Sequence, residues 1–299
     1  MFFATSSIEV GPSRMELWLG VSRHARVYAA ERKGLCADTL LLPAARCAAR
    51  DVSILWFFLD GETTFEHESG ATCMKAPSVA IIPEHWREGA NGKRDVRIRM
   101  GMNSASVQVL FRARCDTIQH LDAGAEVLAE VASMHREVIG ADEGRGFLLL
   151  RGILRRLVAH GLVPPSVLAD EDSTLYTSAA YVRLWNAMRQ RIASFDVNPS
   201  LKSIAADANM SGRHAQRLAH ALFEECLMPP GGFREATINL RLSLASILLS
   251  KSSLSVVDVA RLVGYLNPET LTSAFRHTGL PSPVEIRRTH RDDLSFALA

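Results

Sequence analysis

One helix-pair pattern occurs twice in this chain, and it constrains the possible folds more than any other feature. Leu201, Ile204, Ala205 and Ala208 fall at i, i+3, i+4 and i+7, the apolar face of a short helix. The pattern breaks at Asn209 and Met210. Ser211 then opens a second helix with Ala215, Leu218, Ala219 and Leu222 at the same spacing. The order returns with Val256, Val259, Ala260 and Val263, a break at Gly264, Tyr265 and Leu266, and a last face of Leu271, Ala274, Phe275 and Thr278. The first helices are offset by 55 residues (201 to 256) and the second helices by 56 (215 to 271). Two short amphipathic helices joined by a tight turn predict a helix-turn-helix unit, here near 201–222 and again near 256–278.

The remaining residues suit an ordinary globular protein of two domains. The chain has 299 residues, 47% of them hydrophobic and 22% charged. No apolar run approaches the roughly 18 residues that span a bilayer, and MFFATSSIEV lacks the basic and apolar regions of a signal peptide. The five cysteines include no C-x-x-C pair, which predicts reduced thiols in a cytoplasmic protein. The net charge of +2 is unevenly divided: Tyr176 to Ala299 holds 14 lysines and arginines against 10 acids. A mildly basic C-terminal part is compatible with nucleic acid and does not by itself establish it.

The first 115 residues read as strands. Ser53 to Leu59 is rich in β-branched and aromatic residues, and Asp60-Gly61 after it predicts a hairpin turn. Thr63 to Phe65, Val79 to Ile82, Arg97 to Met102 and Val107 to Phe111 continue the pattern, which favours a small barrel or sandwich. In FLDGETTFEHESGATCMKAPSVAIIP, the residues Gly61, Phe65, Gly70, Pro77, Ile82 and Pro83 give a resemblance to the cupin-like sensor domains found at the front of many bacterial regulators. That resemblance implies a small-molecule effector. Metal-binding cupins carry a His-x-His pair followed by a Glu; this chain has only the isolated His67 and His85, so neither metal nor cofactor is expected.

From Thr117 to Val163 the period becomes helical. Leu121, Ala125, Leu128 and Ala132 form one stripe, and Phe147, Leu150, Leu154 and Leu157 another. Such a stripe suits helices packed side by side, a homodimer seam, or packing onto the β-rich part. Gly161 to Thr174 carries two prolines and an acidic cluster and reads as a linker. A helix over roughly 178–195 follows, with Val182, Trp185, Met188, Arg189 and Ile192 as its inner face.

Beside its buried stripe, the first repeat leaves Arg213, Gln216, Arg217 and His220 on one outward face. Arginine matches guanine O6/N7 and glutamine matches adenine N6/N7, each good bidentate pair discriminating by roughly 1–3 kcal/mol. A solvated polar face is the bland alternative, and the helix-turn-helix frame favours double-stranded DNA. The second repeat presents Glu269, Thr272, Ser273 and Arg276, with Asn267 as N-cap and Pro268 at the first helical position. This face is less cationic: Glu269 suits cytosine N4, Thr272 a thymine methyl, and the whole face suits phosphate contact. Phe233 to Ser250 is long enough for one connecting helix of about 27 Å, close to the roughly 34 Å between successive major grooves.

With LKSIAADANMSGRHAQRL, the Asn239-Leu240-Arg241-Leu242 helix and LSVVDVARLVGYLNPETLTSAFRHTGLPSPVEIRR, the stretch from about Tyr176 to Arg288 resembles the DNA-binding domain of the AraC/XylS family of bacterial transcription regulators. Asp258, Val259, Ala260, Gly264, Tyr265, Phe275, Arg276 and Pro283 stand in family register. The resemblance implies base reading by Arg213, Gln216 and Arg217 in the first unit and by Glu269, Thr270, Thr272 and Ser273 in the second. Ala219 stands where the family usually has a large aromatic, with Phe223 one turn later to refill the space; Ser273 replaces a frequent arginine and Ile286 a frequent aromatic.

The expectation is an α+β chain. A cupin-like sensor domain over 1–115 is a β-rich barrel, followed by a helical, dimerising segment over 116–163 and a linker over 164–175. An all-α DNA-binding domain with two helix-turn-helix units covers 176–290. The expected function is sequence-specific transcription regulation without enzymatic activity, with RNA polymerase as a further partner if the protein is an activator. Two alternatives are a cupin-type small-molecule enzyme, which needs an acid–base or metal constellation around Glu66, His67 or His85, and a protein-interaction module with appended helices.

Overall fold

A computed structural model describes residues 2–10, 13–34, 37–38, 52–67, 70–83, 97–101, 103–139, 145–169, 178–193, 200–226, 232–250 and 254–288. The chain is α+β, with a β-rich N-terminal part and a helical C-terminal part. The strands are β1 (Phe2–Val10), β2 (Ser13–Val21), β3 (Ala25–Lys33), β4 (Ala37–Asp38), β5 (Val52–Asp60), β6 (Glu62–His67), β7 (Gly70–Lys75), β8 (Ser78–Pro83), β9 (Arg97–Met100), β10 (Ser104–Arg112) and β11 (Gln119–Leu121). Next come α1 (Gly124–Ile139), α2 (Gly146–Ala159) and a 3₁₀ turn over Pro165–Leu168. The C-terminal helices are α3 (Ala179–Ala193), α4 (Leu201–Asp207), α5 (Gly212–Glu225), α6 (Gly232–Leu249), α7 (Val256–Leu262) and α8 (Pro268–His277). Among the described residues no helix is long and apolar enough to cross a membrane.

The described strands make two sheets rather than one closed barrel. One has the order β1-β2-β3-β10-β5-β8-β11, the other β4-β9-β6-β7, and the pairs between neighbours are antiparallel. Asp60-Gly61 therefore does not close a hairpin. β5 pairs with β10 and β8, whereas β6 pairs with β7 and β9, so this turn carries the chain from one sheet to the other. Gly61 has a φ of 79° there, and a Cβ on it would lie 2.2 Å from the Asn103 carbonyl oxygen. Only glycine meets both conditions.

The continuous apolar run in β5 reflects a strand covered on both faces. Ile54, Trp56 and Phe58 face the second sheet, in one core with Phe65, Met74, Ile98 and Met100. Trp56 stacks on Phe58 with ring centroids 5.0 Å apart, and Phe65 meets both rings edge-on. Leu55 and Phe57 point the other way, toward α1 and α2. Leu150, Leu154 and Leu157 of α2 are buried in that second core, so their stripe packs on the sheet and is not a free dimer seam. Val163 and Val167, at the start of the expected linker, are buried in the same core.

The C-terminal helices use two further sets of contacts. α3, α4 and α5 share a core with Val21 of β2, while α6, α7 and α8 share the core of the inner sheet face. On α3 the buried residues are Leu184, Trp185, Ala187 and Met188, and Val182 is exposed, so the inner face is rotated from the expected one. The side chain of Ile192 lies outside the described residues.

Candidate nucleic-acid interface

The two short helix pairs repeat in hydrogen bonds as well as in apolar spacing. Helix α4 is capped by Ser200, which forms a reciprocal capping box with Ser203; α7 is capped by Ser255 with Asp258 in the same way. At the far end of α4, Asn209 N donates to Ala206 O and Met210 N to Ala205 O, at 3.0 and 2.9 Å. At the end of α7, Gly264 N donates to Arg261 O and Tyr265 N to Ala260 O, at 3.1 and 2.8 Å. Both are Schellman motifs, whose pivot residue takes a left-handed conformation. Asn209 has a φ of 51° and Gly264 a φ of 79°.

The repeat extends backward to the helix before each pair. Arg183 of α3 donates through Nε to Ala208 O at 3.1 Å, and Arg241 of α6 donates through Nη1 to Gly264 O at 3.3 Å. Each guanidinium satisfies carbonyls that a helix C-terminus leaves open. Arg183 is exposed, whereas Arg241 is buried, with its guanidinium carbon 5.9 Å from the Tyr265 ring centroid. The unit is thus three helices, α3-α4-α5 and then α6-α7-α8. The sequence did not show this, because the arginines act 25 and 23 residues along the chain.

Helices α5 and α8 each bury one face and expose the other. On α5, Ala215, Leu218, Ala219 and Leu222 are buried, and Phe223 is buried beside Ala219. Arg213, Gln216, Arg217 and His220 are all exposed. Ser211 caps this helix by accepting from His214 N. His214 Nδ1 accepts from Arg217 Nη2 at 3.1 Å, since a guanidinium only donates. His214 thus helps orient Arg217; its i, i+3 spacing was the signal available in the sequence. His220 Nδ1 lies 3.5 Å from Glu224 Oε2, between two exposed side chains.

On α8, Leu271 and Phe275 are buried, and Glu269, Thr270, Ser273 and Arg276 are exposed. Thr272 is half-buried, and its hydroxyl donates to Pro268 O at 2.8 Å, which turns its hydrogen-bonding capacity inward. Thr270 is similarly engaged: its backbone N and its hydroxyl both donate to Asn267 Oδ1, at 2.8 and 2.6 Å. Ser273 carries His277 against its own carbonyl oxygen, 2.7 Å from His277 Nδ1. The Arg213, Gln216, Glu269 and Arg276 side chains engage no described partner, so their donors and acceptors are open to a ligand.

No group of three or more His, Cys, Asp or Glu among the described residues is placed to hold a metal ion. His85 and the side chain of His67 lie outside the described residues.

No protein-family model matches the chain, and none of the curated proteins does. Among solved structures, ToxT from Vibrio cholerae is 10% identical over 88% of this chain and 97% of that one, with a TM-score of 0.38. CuxR, described as an AraC-like transcriptional activator, is 16% identical over 71% of this chain and 74% of that one, with a TM-score of 0.31. Likeness of this degree assigns no function.

Proposed function

We propose that this chain is a sequence-specific, DNA-binding transcription regulator that reads successive major grooves with α5 and α8. One observation carries the reading: two helix-turn-helix frames with matching cap and turn hydrogen bonds hold outward faces on which Arg213, Gln216, Glu269 and Arg276 engage no described partner. Arg213, Gln216 and Arg217 supply direct base contacts, with His220 at the edge of the face. Glu269, Thr270, Thr272, Ser273 and Arg276 make weaker or indirect contacts. α6, 18 residues long, spaces the two helices. Residues 176–290 are the reading domain, and 1–115 with 116–163 form a sensor that takes a small-molecule effector and acts on the reader across 164–175. No catalytic step is assigned to it. A homodimer has to use residues other than the buried α2 stripe.

Mapping of bound genomic fragments with the purified chain is the direct test. Enrichment of a shared motif, with affinity that falls steeply between low and physiological salt as phosphate contacts release counterions, is the expected outcome. Salt-independent binding, or no enriched motif, would replace the regulator with a protein-interaction module.

A further inference from the structure

A cleft of about 530 Å³ opens where α1 crosses the ends of β3, β5 and β10, on the side of the large sheet away from the small one. Its size lies within the range of small-ligand sites. The interior between the two sheets, by contrast, is occupied by Trp56, Phe58, Phe65 and the methionines around them, all buried. Among the described residues of the β-rich part, a cleft with room for a small ligand lies beside α1.

The walls of this cleft specify a chemistry. Leu59, Ala105 and Ala132 provide a half-buried apolar floor. His135 is 3% exposed, and its Nε2 lies 3.1 Å from the Ala30 carbonyl oxygen. A carbonyl only accepts, so Nε2 carries the proton and donates. Burial, the largest influence on this imidazole, keeps its pKa below the usual histidine value, so the neutral ring offers Nδ1 as an acceptor. No described group bonds that nitrogen.

On the next position of α1, Arg136 is exposed and engages no hydrogen bond or ion pair among the described residues. Across the cleft, the Glu31 carboxylate is already held by Lys33 Nζ at 2.7 Å, with Arg14 at 3.8 Å. Asn103 spends its carbonyl oxygen on Gly34 N, at 3.0 Å, which leaves its amide protons for a ligand. Asp60 on the rim accepts from Gly61 N through Oδ1 at 2.9 Å and keeps its other oxygen. The open groups thus include one guanidinium, one amide donor and two acceptors, the Asp60 carboxylate and the His135 imidazole, around a small apolar floor.

We propose that this cleft binds a small hydroxy acid, with its carboxylate on Arg136 and the Asn103 amide and its hydroxyl donating to His135 Nδ1. A carboxylate matches the guanidinium fork, and only a ligand that also donates satisfies the imidazole. The site names the chemical class of the effector, and so rests on the regulator reading for its consequence but not for its existence.

The test uses the full chain without DNA. Calorimetric titrations with lactate, malate and 3-hydroxybutyrate are compared with propionate, succinate and butyrate, which lack the hydroxyl. At least one hydroxy acid should bind at least tenfold tighter than its partner. Arg136→Ala, an exposed change that leaves the core untouched, should abolish that binding, and His135→Phe, which keeps a ring in place and removes the acceptor, should erase the preference for the hydroxyl while keeping the weak acid affinity. No binding by any of the six, or binding unchanged in Arg136→Ala, overturns the site. An operator-binding assay with the same variants then separates the two readings: a chain that binds the acid and no DNA keeps the cleft and loses the regulator.

Discussion

The two three-helix units hold the same frame in different ways. In the first, α3-α4-α5, the turn pivots on Asn209, an exposed Arg183 reaches the helix end, and the central buried position is Ala219 backed by Phe223. In the second, α6-α7-α8, the pivot is Gly264, the arginine is buried beneath Tyr265, and Phe275 fills the centre. The second unit has the more filled interior, the first the more cationic surface, with two exposed arginines and a glutamine where the second has Glu269, Thr272 and Ser273. A duplicated frame fixes where side chains stand and leaves open what each copy presents on its surface.

Removal of the central ring gives the largest expected contrast. Phe275→Ala should cost about 3–5 kcal/mol in urea-induced unfolding, and Phe223→Ala, at the core edge of the first unit, should fall at or below the bottom of that range. Equal losses would break the idea that the first core is the less filled.

Next come the buttressing arginines. Arg241→Met strips the buried Gly264 carbonyl of its donor and should cost about 1–3 kcal/mol. Arg183→Met, where the donor is exposed and the bond only partly buried, should cost less than Arg241→Met, about 1 kcal/mol or below. The same urea titrations decide this, and a reversed order would remove the distinction between buried and exposed clamps.

On the surface the order of the units inverts. Arg217→Ala should weaken specific DNA binding by about 1–3 kcal/mol and relax preference at one base position, with Ser273→Ala changing it by much less. Competition binding against scrambled duplex measures both, and a larger effect of Ser273 would transfer base reading to the second unit.

The smallest contrast concerns acid. Asp258 in the second capping box has its pKa held below the ordinary value of 3.8, first by the Ser255 hydroxyl and then by the Ser255 backbone N–H. A depressed carboxylate contributes stability above its unfolded pKa and loses it as pH falls through the folded one, so this contribution disappears in the region below pH 3.8. The first box pairs Ser200 with Ser203 and does not titrate. Ser255→Ala should therefore narrow the stability difference between neutral and strongly acidic solution, and Ser200→Ala should not. Thermal unfolding at the two pH values reads this directly.

Much of this was legible because it is local. Apolar spacing over seven residues located α4, α5, α7 and α8, since a helix face is a property of neighbours in sequence. Asn267 was readable as a cap for the same reason, and Ser200, Ser211 and Ser255 cap their helices over equally short separations. Pairings over long separations were not. Asp60-Gly61 has the composition of a hairpin turn, and the partners of β5 are decided by β8 and β10, far along the chain. The α2 stripe was ambiguous because burial against a sheet and burial against a second copy demand the same residues. On α8, the hydroxyls of Thr270 and Thr272 look available to a base in the sequence, yet both are engaged by their own helix start.

The buried Arg241 also decides where the chain can be cut. A fragment that starts after α6 would keep α7 and α8 but leave the Gly264 carbonyl and the face of Tyr265 without the cation that covers them. The second three-helix unit therefore begins at Gly232, and the helix that looks like a spacer is a structural part of the unit it precedes.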